Sequence, residues 1–157
     1  MLTENIKEGV STDHIDKLGY EFIRDNGGYS APLYYRGFKK SLCTSLNHVV
    51  CHGVPSEDRI LEEGDAVNVD VTAIINEHYG DTSRMFCIGK TPVKLNNLIN
   101  TTYESMMKAI KILKPGIKIG DIGYEIQSYV EEKGYSCLLY TSASPRDQRG
   151  SRMPSSA

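Results

Sequence analysis

The chain has 157 residues, 39% apolar and 24% charged, which suits one globular domain and excludes wholesale disorder. A net charge of −2 leaves no electrostatic footprint for nucleic acid, and no apolar run approaches the roughly 18 residues that cross a bilayer, so neither is an expected partner. Cys43, Cys51, Cys87 and Cys137 form no CxxC, and the start MLTENIKEGV has no apolar export core; the four read as reduced thiols of a cytoplasmic protein.

In chain order, Ser11 or Thr12 caps a helix that runs to about Asn26, with Ile15, Leu18, Phe22 and Ile23 as its buried stripe and Gly27-Gly28 as its stop. Residues 29–40 are an aromatic and basic connector containing Pro32. Residues 41–52 alternate loosely and predict a strand closed by a turn at Gly53-Val54-Pro55, and residues 58–65 form a polar bend. A second helix is expected over 96–113, with Leu98, Thr102, Met106, Ala109 and Leu113 on one face. A third is expected over 121–133, with Ile122, Ile126 and Val130 inward and Gly134 ending it.

Residues 66–86, AVNVDVTAIINEHYGDTSRMF, organise the rest. Val67, Val69, Val71, Ala73 and Ile75 alternate with Asn68, Asp70 and Thr72, the period of a half-buried strand. Asn76, Glu77 and His78 break that pattern, and residues 79–86 can return as a second strand. The turn length decides whether Asp70 and Asp81 meet. A two-residue turn at Asn76-Glu77 makes them diagonal neighbours on one face, roughly 7–8 Å apart at the backbone. A four-residue turn places them directly opposite, and a three-residue turn puts them on opposite faces. Two converging carboxylates repel unless a proton or cation lies between them, and oxygen ligands favour a hard or borderline divalent metal. An ordinary pair of solvated aspartates has the same spacing.

Residues 7–27 align without a gap on residues 114–134: Lys7 with Lys114, Gly9 with Gly116, Ile15 with Ile122, Ile23 with Val130, and Gly27 with Gly134. In the first copy strands follow the helix. In the second, the chain after Cys137 reads LLYTSASPRDQRGSRMPSSA, rich in Ser, Arg and Pro. The expected division is therefore a domain portion at 1–137 and a tail at 138–157, either natural and disordered or, by preference, foreign sequence joined to a truncated gene.

The strings KSLCTSLNHVVCHGVP, NVDVTAIINEHYGDTSRMF and KAIKILKPGIKIGDIGYEIQSYVEEKGYS together resemble methionine aminopeptidases of the bacterial and organellar type, over about residues 7–136. The resemblance implies an α/β (α+β) architecture, the first half of a pita-bread fold, with an antiparallel sheet and helices packed on one face. It also implies metal-dependent removal of the initiator methionine from nascent proteins, with the ribosome a candidate partner and a monomeric full-length enzyme. Asp70 and Asp81 become ligands of two divalent ions (Co, Mn, Fe or Zn), and His52 the residue that hydrogen-bonds the scissile amide. Tyr35, Phe38 and Cys43 match positions lining the methionine side-chain pocket, although core packing explains these three equally well. Asn47, Val49 and Asn68 match a monovalent-cation site. Cys51 beside His52 suggests a thiol nucleophile, but neighbours in a strand point to opposite faces and cannot easily form that dyad. The family's remaining ligands, a His and two Glu, come from a second half with no counterpart here. The chain is therefore expected to be inactive alone and poorly soluble; the alternative is a non-catalytic peptide- or partner-binding module.

Overall fold

The structure, a computed structural model, describes residues 2–136. Cys137 and the proposed tail at 138–157 lie outside them. The chain divides into two compact units, Met1–Leu95 and Asn96–Ala157. Along it run helices α1 (Leu2–Asn5) and α2 (Thr12–Asp25), strand β1 (Tyr29–Ser30), a 3-10 turn (Tyr35–Gly37), and strands β2 (Cys43–Leu46), β3 (Ala66–Ile75) and β4 (His78–Cys87). Helices α3 (Val93–Lys111) and α4 (Ile119–Glu132) follow. No helix among the described residues is long and apolar enough to cross a membrane.

All strand pairs are antiparallel and all involve β3. One edge of β3 carries β4 along its whole length; β2 and β1 share the other edge, through Cys43↔Asp70 and Tyr29↔Ile74. The alternation of β3 sends Val67 and Val69 into a core with Ile15, Ile23, Leu42, Leu61 and Ile88. Ile75, expected inward, is exposed, while Ile74 on the other face is buried.

Helix α2 begins where its cap predicts: Ser11 is extended, and its Oγ accepts the His14 N–H at 3.1 Å. Its buried positions are Thr12, Asp13, Ile15, Asp16, Gly19 and Ile23. Phe22, expected in the stripe, is 53% exposed. The stripe is centred on Gly19, where a Cβ would lie 2.6 Å from Leu42 Cδ1. A reading weighted by side-chain bulk passes over a glycine of closest approach and turns the helix too far.

Asp13 is buried under Lys17 and Lys40, both ion-paired to it, and Lys17 also reaches Glu57. The hydrogen bonds from Lys17 and then Lys40 hold the Asp13 carboxyl below its ordinary 3.8, against the effect of burial. A depressed carboxyl stabilises the fold above its unfolded pKa and loses that contribution as the pH falls through its folded pKa. Asp13→Asn is therefore expected to melt below the wild type at pH 7, with the gap closing in acid below 3.8. Thermal melts of both proteins across that range check it. An unchanged gap would mean that the ion pairs contribute nothing.

The second unit repeats the first helix end to end. Helices α2 and α4 both have 14 residues and follow extended caps with ψ 150. Lys7–Val10 and Lys114–Ile117 close the same turn at 3.3 Å, with Gly9 and Gly116 at φ 82 and 92. At the far ends the Gly27 and Gly134 N–H groups bond to Arg24 and Glu131, and the Gly28 and Tyr135 N–H groups to Ile23 and Val130. The duplication expected from the alignment thus extends to the turn before the helix and to its C-terminal capping hydrogen bonds. Within this unit the Tyr129 hydroxyl donates to Glu104, and Lys108 and Lys133 lie over the Tyr129 ring. The buried stripe of α3 is Thr101, Ser105 and Ala109; of the face expected from the sequence Ala109 is buried, whereas Leu98, Thr102, Met106 and Leu113 are exposed. Ile122, Ile126 and Val130 are half-buried.

Candidate functional site

The β3–β4 turn is the two-residue one. Asn76 and Glu77 take φ 49 and 65, the left-handed pair that matches hairpin twist, and Ile75 pairs with His78. The register then pairs Thr72 with Asp81 and Asp70 with Ser83. Asp70 and Asp81 are diagonal neighbours on one face. Thr72, directly opposite Asp81, donates its Oγ1 hydrogen to Asp81 Oδ1 at 3.1 Å. Beside them Asn68 and Ser83 exchange side-chain hydrogen bonds of 2.8 and 3.0 Å.

Burial pushes the Asp70 carboxyl above its ordinary 3.8; the Asp81 carboxylate pushes it further, and a hydrogen bond between the two adds to the rise, while His52 pulls the other way. As diagonal neighbours across the hairpin the two carboxyls are within side-chain reach of one another, with His52 close enough for its charge to be felt. Two converging carboxylates repel unless a proton or cation lies between them, and an all-oxygen pair suits a hard or borderline divalent ion. Among the described residues no group of three or more His, Cys, Asp or Glu side chains could hold a metal, so the pair supplies only part of a coordination shell.

His52 arrives by a route that alternation does not predict. The expected strand over 41–52 stops at Leu46, and residues 47–53 loop back. Asn47 and His52 take φ 51 and 53, which no strand tolerates. Strand alternation therefore does not separate Cys51 from His52 as expected, since neither lies in a strand. The loop is closed by Gly53: its carbonyl accepts the Thr44 N–H at 2.8 Å, and its N–H donates to Ser45 Oγ at 3.1 Å. Gly53, Ser45 and Thr72 are site residues that sequence reasoning missed. The HG pair and the position of Thr72 on the Asp70 face were the available signals.

Cys43 lies on β2 directly opposite Asp70 and is buried. Burial first, then the charges of Asp70, Cys51 and Asp16, push its thiol up to about 11, too high for a nucleophile at neutral pH. Tyr35 and Phe38 lie on the preceding loop, Tyr35 exposed beneath Arg36 and Phe38 half-buried. At the monovalent-cation positions, the Asn47 amide is bonded to Asp65 and to the Ala66 N–H, and that of Asn68 to Ser83. An open depression of about 470 Å³, lined by residues including Gly9, Ser11, His14, Lys17 and Glu57, contains none of these site residues.

The profile of metallopeptidase family M24 matches residues 1–152. The methionine aminopeptidase of Rickettsia prowazekii is 50% identical over 137 residues, which are 87% of this chain and 52% of that protein. That of Escherichia coli K12 is 42% identical over 139 residues, 88% of this chain and 53% of that protein. The crystal structure of the Rickettsia prowazekii enzyme superposes with a TM-score of 0.83, covering 86% of this chain and 54% of that one. Xaa-Pro dipeptidase from Bacillus anthracis, 24% identical, shares the fold with a TM-score of 0.73 over 85% of this chain and 36% of that one. The antiparallel sheet with its helices is the pita-bread architecture expected from the sequence, and the chain spans about half the length of the curated relatives it matches. With the paired aspartates at the centre of its hairpin, the chain belongs to metallopeptidase family M24.

Proposed function

We propose that this chain carries one side of the active site of a metal-dependent aminopeptidase that removes the N-terminal methionine of peptides. The observation that supports it most is the convergence of Asp70 and Asp81 on one face of the hairpin with His52 beside them. Asp70 and Asp81 are the proposed ligands of two divalent ions, with Co, Mn, Fe and Zn as candidates and a monovalent cation near Asn47 and Val49 as a further one. When bound, such ions supply the positive charge that acidifies a water and polarises a carbonyl. Thr72 orients the Asp81 carboxylate. His52, held by the Gly53 closure, donates a hydrogen bond to the scissile amide and steadies charge that develops there. Cys43, with Tyr35 and Phe38, forms the sulfur-tolerant apolar lining for the methionine side chain. Nascent chains, and with them the ribosome, are the proposed source of substrate, in a cytoplasmic setting.

Release of Met from a Met-Gly-Ser peptide in Mn²⁺ or Co²⁺ tests this. The 157-residue chain alone is expected to be silent, because among the described residues the two carboxylates complete no coordination shell. Mixed with the complementary half of the Rickettsia prowazekii enzyme, it is expected to release methionine, and its His52→Ala variant to do so at least about 100-fold more slowly. Peptide binding that is indifferent to metal, with no release in the mixture, would favour a binding module instead.

A further inference from the structure

The segment that carries Tyr35, Phe38 and Cys43 is strained. Tyr34, Arg36 and Gly37 all take left-handed φ, at 67, 47 and 85, and the Tyr34 N–H closes the loop on the Phe38 carbonyl at 2.7 Å. Such a loop persists only where its ends are held. Upstream, the Ala31 N–H bonds to the Thr72 carbonyl at 2.9 Å, beside the Ser30↔Ala73 pair. Downstream, α2 takes over. Lys40 is ion-paired to Asp13, Leu42 fills the space above Gly19, and Asp16 Oδ1 accepts the main-chain N–H groups of both Ser41 and Leu42, at 2.7 and 2.8 Å.

Asp16 is 6% exposed. Burial is the largest influence on it and raises its carboxyl above the ordinary value, so its charge is a cost in this fold. The charged groups felt there are Lys40 and Asp13, and the Cys43 thiol in turn feels Asp16. What the carboxylate provides is a single acceptor for two adjacent buried N–H groups at the entry to β2, one residue before Cys43.

We propose that Asp16 is a positioning residue: its buried carboxylate clamps residues 41–42 and thereby fixes Cys43 opposite Asp70 and the strained aromatic loop before it. Its meaning for substrate rests on the methionine-pocket reading, but the clamp can be read without substrate. The probe is the rate of Cys43 alkylation by iodoacetamide, followed by peptide mass spectrometry well below the melting temperature. Asp16→Ala orphans two buried donors and is expected to speed Cys43 alkylation by roughly tenfold or more. Asp16→Asn keeps an acceptor in the same place and removes the same charge, so it is expected to stay within about threefold of wild type. The exposed Cys51 is expected to react at one rate in all variants, and Ile23→Ala, a core destabilisation away from the clamp, to leave Cys43 slow. Should Asp16→Ala not fold, faster hydrogen exchange over residues 34–43 in Asp16→Ser than in Ile23→Ala supplies the same evidence. An Asp16→Ala rate equal to wild type, or an equal rise in Asp16→Asn or Ile23→Ala, would overturn the clamp. Methionine with Mn²⁺ is expected to protect Cys43 in the wild type mixed with the complementary half of the Rickettsia prowazekii enzyme. Absent protection would remove the pocket even if the alkylation ratio held, and a lost ratio with protection intact would overturn the clamp alone.

Discussion

Asp70→Asn and Asp81→Asn are each expected to weaken Mn²⁺ binding by about two orders of magnitude or more in isothermal titration of the chain mixed with the complementary half of the Rickettsia prowazekii enzyme, because affinity for a hard cation follows the count of charged oxygen ligands. This chain contributes two such ligands, so either change halves the charge it turns toward the ion. The usual objection, that the variant is merely less stable, has the wrong sign here. Asp70 and Asp81 press on one another across the hairpin, and removing one charge relieves that repulsion. Either variant should therefore melt no lower than wild type without metal, and should lose the rise in melting temperature that Mn²⁺ gives the wild type. Thr72→Val offers a graded version. It removes the hydroxyl that orients Asp81 Oδ1 while keeping both carboxylates, and is expected to cost about tenfold in affinity. Equal Mn²⁺ affinities in the wild type and both Asn variants would remove the metal site and the peptidase reading built on it.

That geometry was legible because a strand has a period of two and a hairpin has a constant sum of paired positions. Once Asn76-Glu77 is taken as a two-residue turn, the meeting of Asp70 and Asp81 follows by counting. Both ends of α2 and the C-terminal stop of α4 were legible for a similar reason, since caps and glycine stops act within a few residues. The errors lie where a tertiary contact overrides a local pattern. Residues 47–52 alternate loosely enough to pass for strand, yet the main chain turns left-handed at Asn47 and His52, and nothing in the side-chain pattern encodes that. The stripes of α2 and α3 were placed on their largest apolar residues. The true buried faces are built on Gly19, where Leu42 comes close, and on Thr101 and Ser105 together with the expected Ala109. Asp13 and Asp16 carry no local signal of burial, which follows from Lys40, Ser41 and Leu42 folding over them.

Gly53→Ala is expected to be among the most damaging single changes in the first unit, by about 3 kcal/mol in urea denaturation. The reason is space. A Cβ at this position would lie 2.2 Å from the Thr44 carbonyl oxygen, 2.8 Å from the Thr44 carbonyl carbon and 2.9 Å from the Ser45 Cα. These are main-chain atoms of β2, which is hydrogen-bonded to β3 through residues 43–46 and cannot withdraw without opening that ladder. The loop would have to lift instead, giving up the Thr44–Gly53 and Gly53–Ser45 hydrogen bonds and carrying His52 away from Asp70. Loss of the site should therefore accompany loss of stability. A comparison variant separates the two: Ser45→Ala removes one of the closing hydrogen bonds without adding an atom, and is expected to cost about 1 kcal/mol. If the penalty for Gly53→Ala were no larger than that for Ser45→Ala, the close approach would not be what holds the loop. The placement of His52 beside the paired aspartates would then need another cause.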